Sequence, residues 1–180
     1  MDENAPATSG REARFAALAL PHLDAAYNLA RWLTRNDHDA QDVVQDAYLR
    51  ALRAFDGLRG DVIRPWLLAI VRNTSLNWLA QRRGGEREVE YVDELHGGGE
   101  CVSDGHPLDP ETTLLRAQDR RRLDAALEGL PIAFREVIVL RELQECSYEE
   151  IARILGIPAG TVMSRLSRGR ARLLQLLGED

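Results

Sequence analysis

Lysine is missing altogether: all 23 basic residues among the 180 are arginine. Arginine offers a planar fork suited to phosphates and guanine edges, but a GC-rich coding sequence that favours arginine codons is the better explanation. Cysteine is nearly absent. Cys101 and Cys146 stand alone with no CxxC pair, which excludes a disulfide framework and points to a reducing cytosol. No apolar run approaches the roughly 20 residues of a membrane span, and the opening MDENAPATSGRE is too polar for a secretory leader. The reading is a cytoplasmic protein without membrane insertion. An excess of positive charge is lacking too: the formal net charge of −6 argues against a generic nucleic-acid coat. Nor do paired carboxylates, a nucleophile–base pair or a phosphate loop occur, so no enzyme is predicted.

What the chain does have is segregated charge. Residues 86–111 carry nine acidic groups and one arginine, Arg87, whereas residues 155–178 are purely basic. The acidic stretch is also rich in glycine and loses all hydrophobic periodicity, the composition of a flexible tether. On either side apolar residues recur at helical spacing. The prediction is an all-α protein of two small helical domains joined by a flexible acidic linker. Residues 1–10 are expected to be disordered, 11–83 to form the first domain, 84–110 the linker, and 111–180 the second domain. Within the first, helices are predicted over 11–33, 40–55 and 64–83; within the second, over 111–129, 131–143, 147–155 and 159–177.

The second domain carries the clearest motif. Ser147 and Glu150 are spaced as a capping box, Gly156 is placed to end the short helix in a left-handed turn, and Pro158 stiffens the entry to the next. Val162, Leu166 and Leu173 keep core spacing. That leaves Ala159, Gly160, Thr161, Met163, Ser164, Arg165 and Arg168 on the outer, N-terminal face of a basic helix. Two helices joined by a tight glycine-containing turn, the second basic, suit a major groove. The alternative is a plain helical hairpin with solvated arginines.

In the first domain, DAQDVVQDAYLRALRAF gathers Asp39, Asp42, Gln45, Asp46 and Arg50 near one face, which by itself reads as a solvated helix surface. The following RPWLLAIVRNTSLNWLAQRR interleaves arginines with Trp66, Trp78, Asn73 and Asn77. Aromatics, amides and arginines in alternation suit single-stranded DNA, where bases stack and phosphates meet guanidinium. The alternative makes both tryptophans core anchors, the better reading for Trp66 between Leu67 and Ile70.

Three segments, taken in order, resemble the extracytoplasmic-function (ECF) sigma factors of bacterial RNA polymerase, group 4 of the sigma-70 family. DAQDVVQDAYLRALRAF resembles their regions 2.1–2.2, RPWLLAIVRNTSLNWLAQRR regions 2.3–2.4, and LPIAFREVIVLRELQECSYEEIARILGIPAGTVMSRLSRGRARL region 4. The resemblance implies that Asp42, Val43, Gln45, Asp46 and Leu49 dock on the β′ clamp helices of core RNA polymerase, with the β subunit a further contact. It implies that the loop 56–61, with Arg59 and Asp61, and then Arg64, Arg72, Asn73, Asn77 and Arg82, meet the melted −10 strand of promoter DNA. The face from Ala159 to Arg168 would read the −35 duplex. The acidic linker resembles segments that thread the polymerase RNA channel, and an anti-sigma factor is the implied inhibitor. Where the family often carries a Ser/Thr-rich or Phe-containing segment, this chain has GLRGDVIRPW.

Two other classes compete: a self-sufficient helix–turn–helix repressor or activator, and a non-catalytic adaptor. No cofactor is predicted. His96, Cys101 and His106 have potential zinc-ligand side chains, but their spacing fits no usual zinc motif and a fourth ligand is lacking, so no metal is predicted. Cys146 reads as a small, partly buried residue, with a redox switch the minor alternative.

Overall fold

The computed structural model describes residues 5–58, 62–85 and 110–178, with side chains over 10–58, 62–82 and 118–178. Every regular element among them is helical. α1 spans Ala5–Ala19, α2 Leu23–Thr34, α3 Asp37–Ala54 and α4 Ile63–Gly85; α5 spans Pro110–Gly129, α6 Ile132–Ile138, α7 Tyr148–Leu155 and α8 Ala159–Gly178. Short 3₁₀ turns follow α1 and α3, and α6 runs on into a π turn over Val139–Leu143.

Local chemistry explains where the boundaries differ from expectation. The helix expected over 11–33 is two helices, because Pro21 lacks the N–H that a continuous helix needs and sits in a 3₁₀ turn, Leu20–His22, instead. The first helix begins at Ala5, inside the stretch expected to be disordered; Pro6 is tolerated because a first-turn N–H has no helical acceptor. α3 starts earlier than expected, capped by Asn36, whose side chain accepts from the Asp39 N–H at 3.1 Å.

Two apolar clusters hold the helices. The smaller one joins α1, α3 and α4 through Phe15, Ala19, Ala51, Phe55, Ile63 and Leu67. Phe15 and Phe55 meet edge to face at 5.3 Å, a favoured arrangement of ring quadrupoles. The larger cluster runs from Leu29, Leu33, Val43 and Val71 through Leu130, Val137 and Leu140 to Ile151, Val162 and Leu166. It is therefore continuous across both halves. α4 packs against α7, and α2 against α6. Trp66 and Trp78 are half-buried against these clusters, in keeping with the core-anchor reading.

Candidate nucleic-acid interface

The helix–turn–helix is built as its sequence dictates. The Glu150 N–H donates to Ser147 Oγ at 3.2 Å and the Ser147 N–H to Glu150 Oε2 at 2.8 Å, closing the capping box at the start of α7. The Ser147 N–H, with the Ser147 side chain and the Arg64 and Arg153 guanidinium groups, holds the Glu150 carboxyl below its usual value against the opposing effect of burial. Gly156 takes φ 66°, and the Ile157 N–H then returns to the Ala152 carbonyl at 3.1 Å. Pro158 contributes its carbonyl to the first turn of α8, accepting from Thr161 and Val162. Val162 and Leu166 face inward, as expected. Gly169 is buried as well, since a Cβ there would lie 3.0 Å from Ile138 Cδ1 and 3.2 Å from Phe134 Cβ. Glycine thus lets α8 approach α6 closely.

On the outer face of α8, Gly160, Met163, Ser164 and Arg168 are exposed, and Ala159 and Thr161 are half-buried. Arg168 donates to the Ser164 carbonyl at 3.2 Å and lies over the Phe134 ring. Arg165 differs from its neighbours. It turns toward α6 and donates to Glu136 Oε1 at 3.2 Å.

The residues expected at the −10 strand are less uniformly presented. Asn73 and Asn77 are exposed on α4. Arg82 stacks over Trp78 at 4.4 Å and pairs with Asp39 at 3.0 Å. Burial pushes the Asp39 carboxyl up, against the pull of that guanidinium. Arg72 donates to Glu136 Oε2 at 2.9 Å, and Arg64 donates to the Gln144 carbonyl just before α7. Both are half-buried. Arg59 and Asp61 lie outside the described residues, as does the linker from 86 to 109 with His96, Cys101 and His106. Among the described residues no group of acidic, His or Cys side chains is placed to hold a metal ion, and no helix is long and apolar enough to cross a membrane.

Of the docking set on α3, Asp42, Gln45 and Leu49 are exposed and Asp46 is half-buried, paired with Arg50 at 2.9 Å. Val43 requires a correction. It is 1% exposed and belongs to the core, because it falls on the same helix stripe as Ala40 and Ala47. Gln45 and Leu49 also line a cleft of about 540 Å³ between α2 and α3, with Phe15, Tyr27 and Tyr48.

Sequence reasoning missed Glu136 and Arg135, charged residues only 2% and 3% exposed. A signal was present. Glu136 lies four residues after Ile132 and three before Val139, in the spacing of a core position.

Known proteins match this arrangement in both halves. The sigma-70 region 2 family matches residues 18–84, and the sigma-70 region 4 family residues 120–173. Over 162 residues the chain is 35% identical to the ECF RNA polymerase sigma factor SigE of Mycolicibacterium smegmatis, covering 90% of this chain and 61% of that protein. Over 137 residues it is 39% identical to the ECF RNA polymerase sigma-E factor of Escherichia coli K12, covering 73% of this chain and 70% of that one. Among solved structures, the sigma factor RpoE of Bartonella quintana, in complex with the anti-sigma factor NepR, superposes with a TM-score of 0.67 at 30% identity, over 93% of this chain and 98% of that one. CnrH, in complex with the cytosolic domain of CnrY, gives 0.67 at 29% identity, over 98% of this chain and 95% of that one.

Proposed function

Because the chain belongs to the ECF sigma factors of the sigma-70 family, a non-catalytic family, we propose that it binds core RNA polymerase and selects promoters for transcription initiation. The observation that carries this reading is the order of two sigma domains on one chain, the second ending in a capped helix–turn–helix with an exposed outer face.

In this reading α8 enters the major groove of the −35 element, with Gly160, Thr161, Met163, Ser164, Arg165 and Arg168 toward the bases and phosphates and Ala159 at the helix start. Small residues at that start let the backbone approach phosphate, which the N-terminal dipole favours. α4 meets the −10 element as single strand. Asn73 and Asn77 offer hydrogen bonds to extruded bases, and Arg64, Arg72 and Arg82 offer charge to the strand, together with Arg59 and Asp61 of the preceding loop. Extruding a base costs a few kcal/mol, which a protein pocket for it offsets. Asp42, Gln45, Asp46 and Leu49 on α3 dock on the β′ clamp helices, the β subunit giving a further contact. The site of action is the cytoplasm. An anti-sigma factor is the proposed inhibitor, supported by the similar sigma factor RpoE, which was solved in complex with the anti-sigma factor NepR.

Transcription from genomic fragments by core polymerase with and without the chain, followed by sequencing of the start sites, tests this. A shared motif upstream of chain-dependent starts is the expected result. Tight binding of the chain alone to a palindromic duplex, with core polymerase adding nothing, would establish the repressor class instead.

A further inference from the structure

One carboxylate joins the two DNA-reading regions. Glu136 of α6 is 3% exposed in its side chain, and it pairs with Arg72 of α4 at 2.9 Å and with Arg165 of α8 at 3.2 Å. The two arginines are themselves largely covered, at 20% and 26%. A carboxylate offers two acceptor oxygens and a negative charge to a guanidinium fork, as a backbone phosphate does. The group facing both arginines in this chain is therefore an internal stand-in for DNA. Arg64, donating to the Gln144 carbonyl, ties a third such residue to the segment ahead of α7.

We propose that Glu136 is a latch: in the free chain it keeps Arg72 and Arg165 on the protein and the two halves together, and DNA binding proceeds by exchanging its carboxylate for phosphate. This rests on the DNA roles proposed above. The exchange is reversible for a physical reason. A buried ion pair adds little net stability once desolvation is counted, whereas a buried carboxylate stripped of its partners is strongly unfavourable. Separation of the halves takes Arg72 away with α4 and leaves Glu136 beside Arg165 on a newly wetted edge of α6 and α8, so no charge is stranded. The apolar cluster supplies most of the adhesion, and the Arg72–Glu136 pair adds the contact across the halves whose loss would leave two covered guanidinium groups without a counter-charge. Gly160, Met163, Ser164 and Arg168 are exposed in the closed chain, which therefore keeps part of its duplex-reading face but not Arg165.

The test uses the full chain with spin labels at Arg53→Cys and Leu174→Cys, both exposed positions, in a Cys101→Ser, Cys146→Ala background. Glu136→Gln keeps the side-chain shape and removes the charge. It should lengthen the α3–α8 distance and raise the affinity of the polymerase-free chain for a −35 duplex by about tenfold, a usual size for coupling between sites. Glu136→Asp keeps the charge and loses one methylene, so its effect should be smaller; a purely packing role would make Asp the more damaging change. In the chain that retains Glu136, saturating −35 duplex should lengthen the same distance, which tests the latch without any change at that position. Unchanged distances, an Asp effect as large as that of Gln, or opening with no gain in affinity overturns the latch. Core-dependent start-site choice by the wild type is measured in parallel and decides the functional reading separately.

Discussion

The guanidinium of Arg135 in α6 donates to the carbonyl of Trp32 near the end of α2 at 3.1 Å, across the boundary between the two halves. Three further N–H groups go to the carbonyls of Leu127, Glu128 and Leu130 at and just past the end of α5, at 2.7–2.9 Å. The cation thus sits where two helices present their last-turn carbonyls and the negative ends of their dipoles. Burial lowers its pKa to about 10, so it stays charged at neutral pH. Arg135→Met keeps most of the volume and strands the carbonyls. Stability should fall by about 3 kcal/mol, read from urea unfolding; a loss below about 1 kcal/mol would show that water replaces the guanidinium.

The capping box gives a pH-dependent prediction. Ser147→Ala should cost about 1 kcal/mol. The Glu150 pKa is lowered in the fold from its usual 4.5, so the associated stability is present above that value and is lost as pH falls through the lower, folded pKa. Glu150→Gln should flatten this part of the acid limb of the stability curve. An acid limb of unchanged slope would mean that other carboxylates carry it.

Of the glycines in α8, Gly169 is the one where an added side chain meets close neighbours. Gly169→Val must push its branched side chain against Phe134 Cβ, which the backbone of α6 fixes, and against Ile138. Overpacking of this kind costs about 1–3 kcal/mol, measurable as a lower thermal midpoint with the duplex-facing residues untouched. A midpoint at or above that of the wild type would mean that α6 and α8 separate easily.

The turn, the capping box and the inward face of α8 were legible in the sequence because each depends on neighbours within four residues: Ser147 with Glu150, Gly156 with Ala152, Val162 with Leu166. Val43 entered the docking set through the resemblance alone, although it shares a helix stripe with Val44 and Ala47 and is 1% exposed in the fold. Pro21 was overlooked because the hydrophobic spacing continues through it, whereas the backbone hydrogen bonds do not. Glu136 and Arg135 were out of reach in a different sense. Their partners, Arg72 and Trp32, lie 64 and 103 residues away, and only tertiary packing brings them together.

Leu49 is 48% exposed on α3, so Leu49→Asp should leave the unfolding midpoint nearly unchanged. If this face meets core polymerase, the same change should weaken that complex by at least tenfold, since an apolar anchor at an interface commonly contributes about 2 kcal/mol or more. Binding of labelled chain to core enzyme without DNA checks it. Full affinity in Leu49→Asp would move the docking surface elsewhere on the molecule.

Arg168 separates duplex reading from polymerase binding. It is exposed and, among the described residues, bonds within α8 and lies over Phe134. Arg168→Ala should reduce open-complex formation on promoters that depend on their −35 element by about tenfold, with affinity for core enzyme unchanged. Equal loss on promoters with and without that element would remove Arg168 from the −35 face.

The order of synthesis gives α4 a vulnerable interval. That helix is complete at residue 85, whereas the helix that covers one of its sides, α7, begins at Tyr148. At about 5–20 residues per second of translation, the side facing α7 stays bare for several seconds on every ribosome. A nascent chain of this kind is a natural client for chaperones. Truncation between α5 and α7 should yield a product far more prone to aggregation than the whole protein.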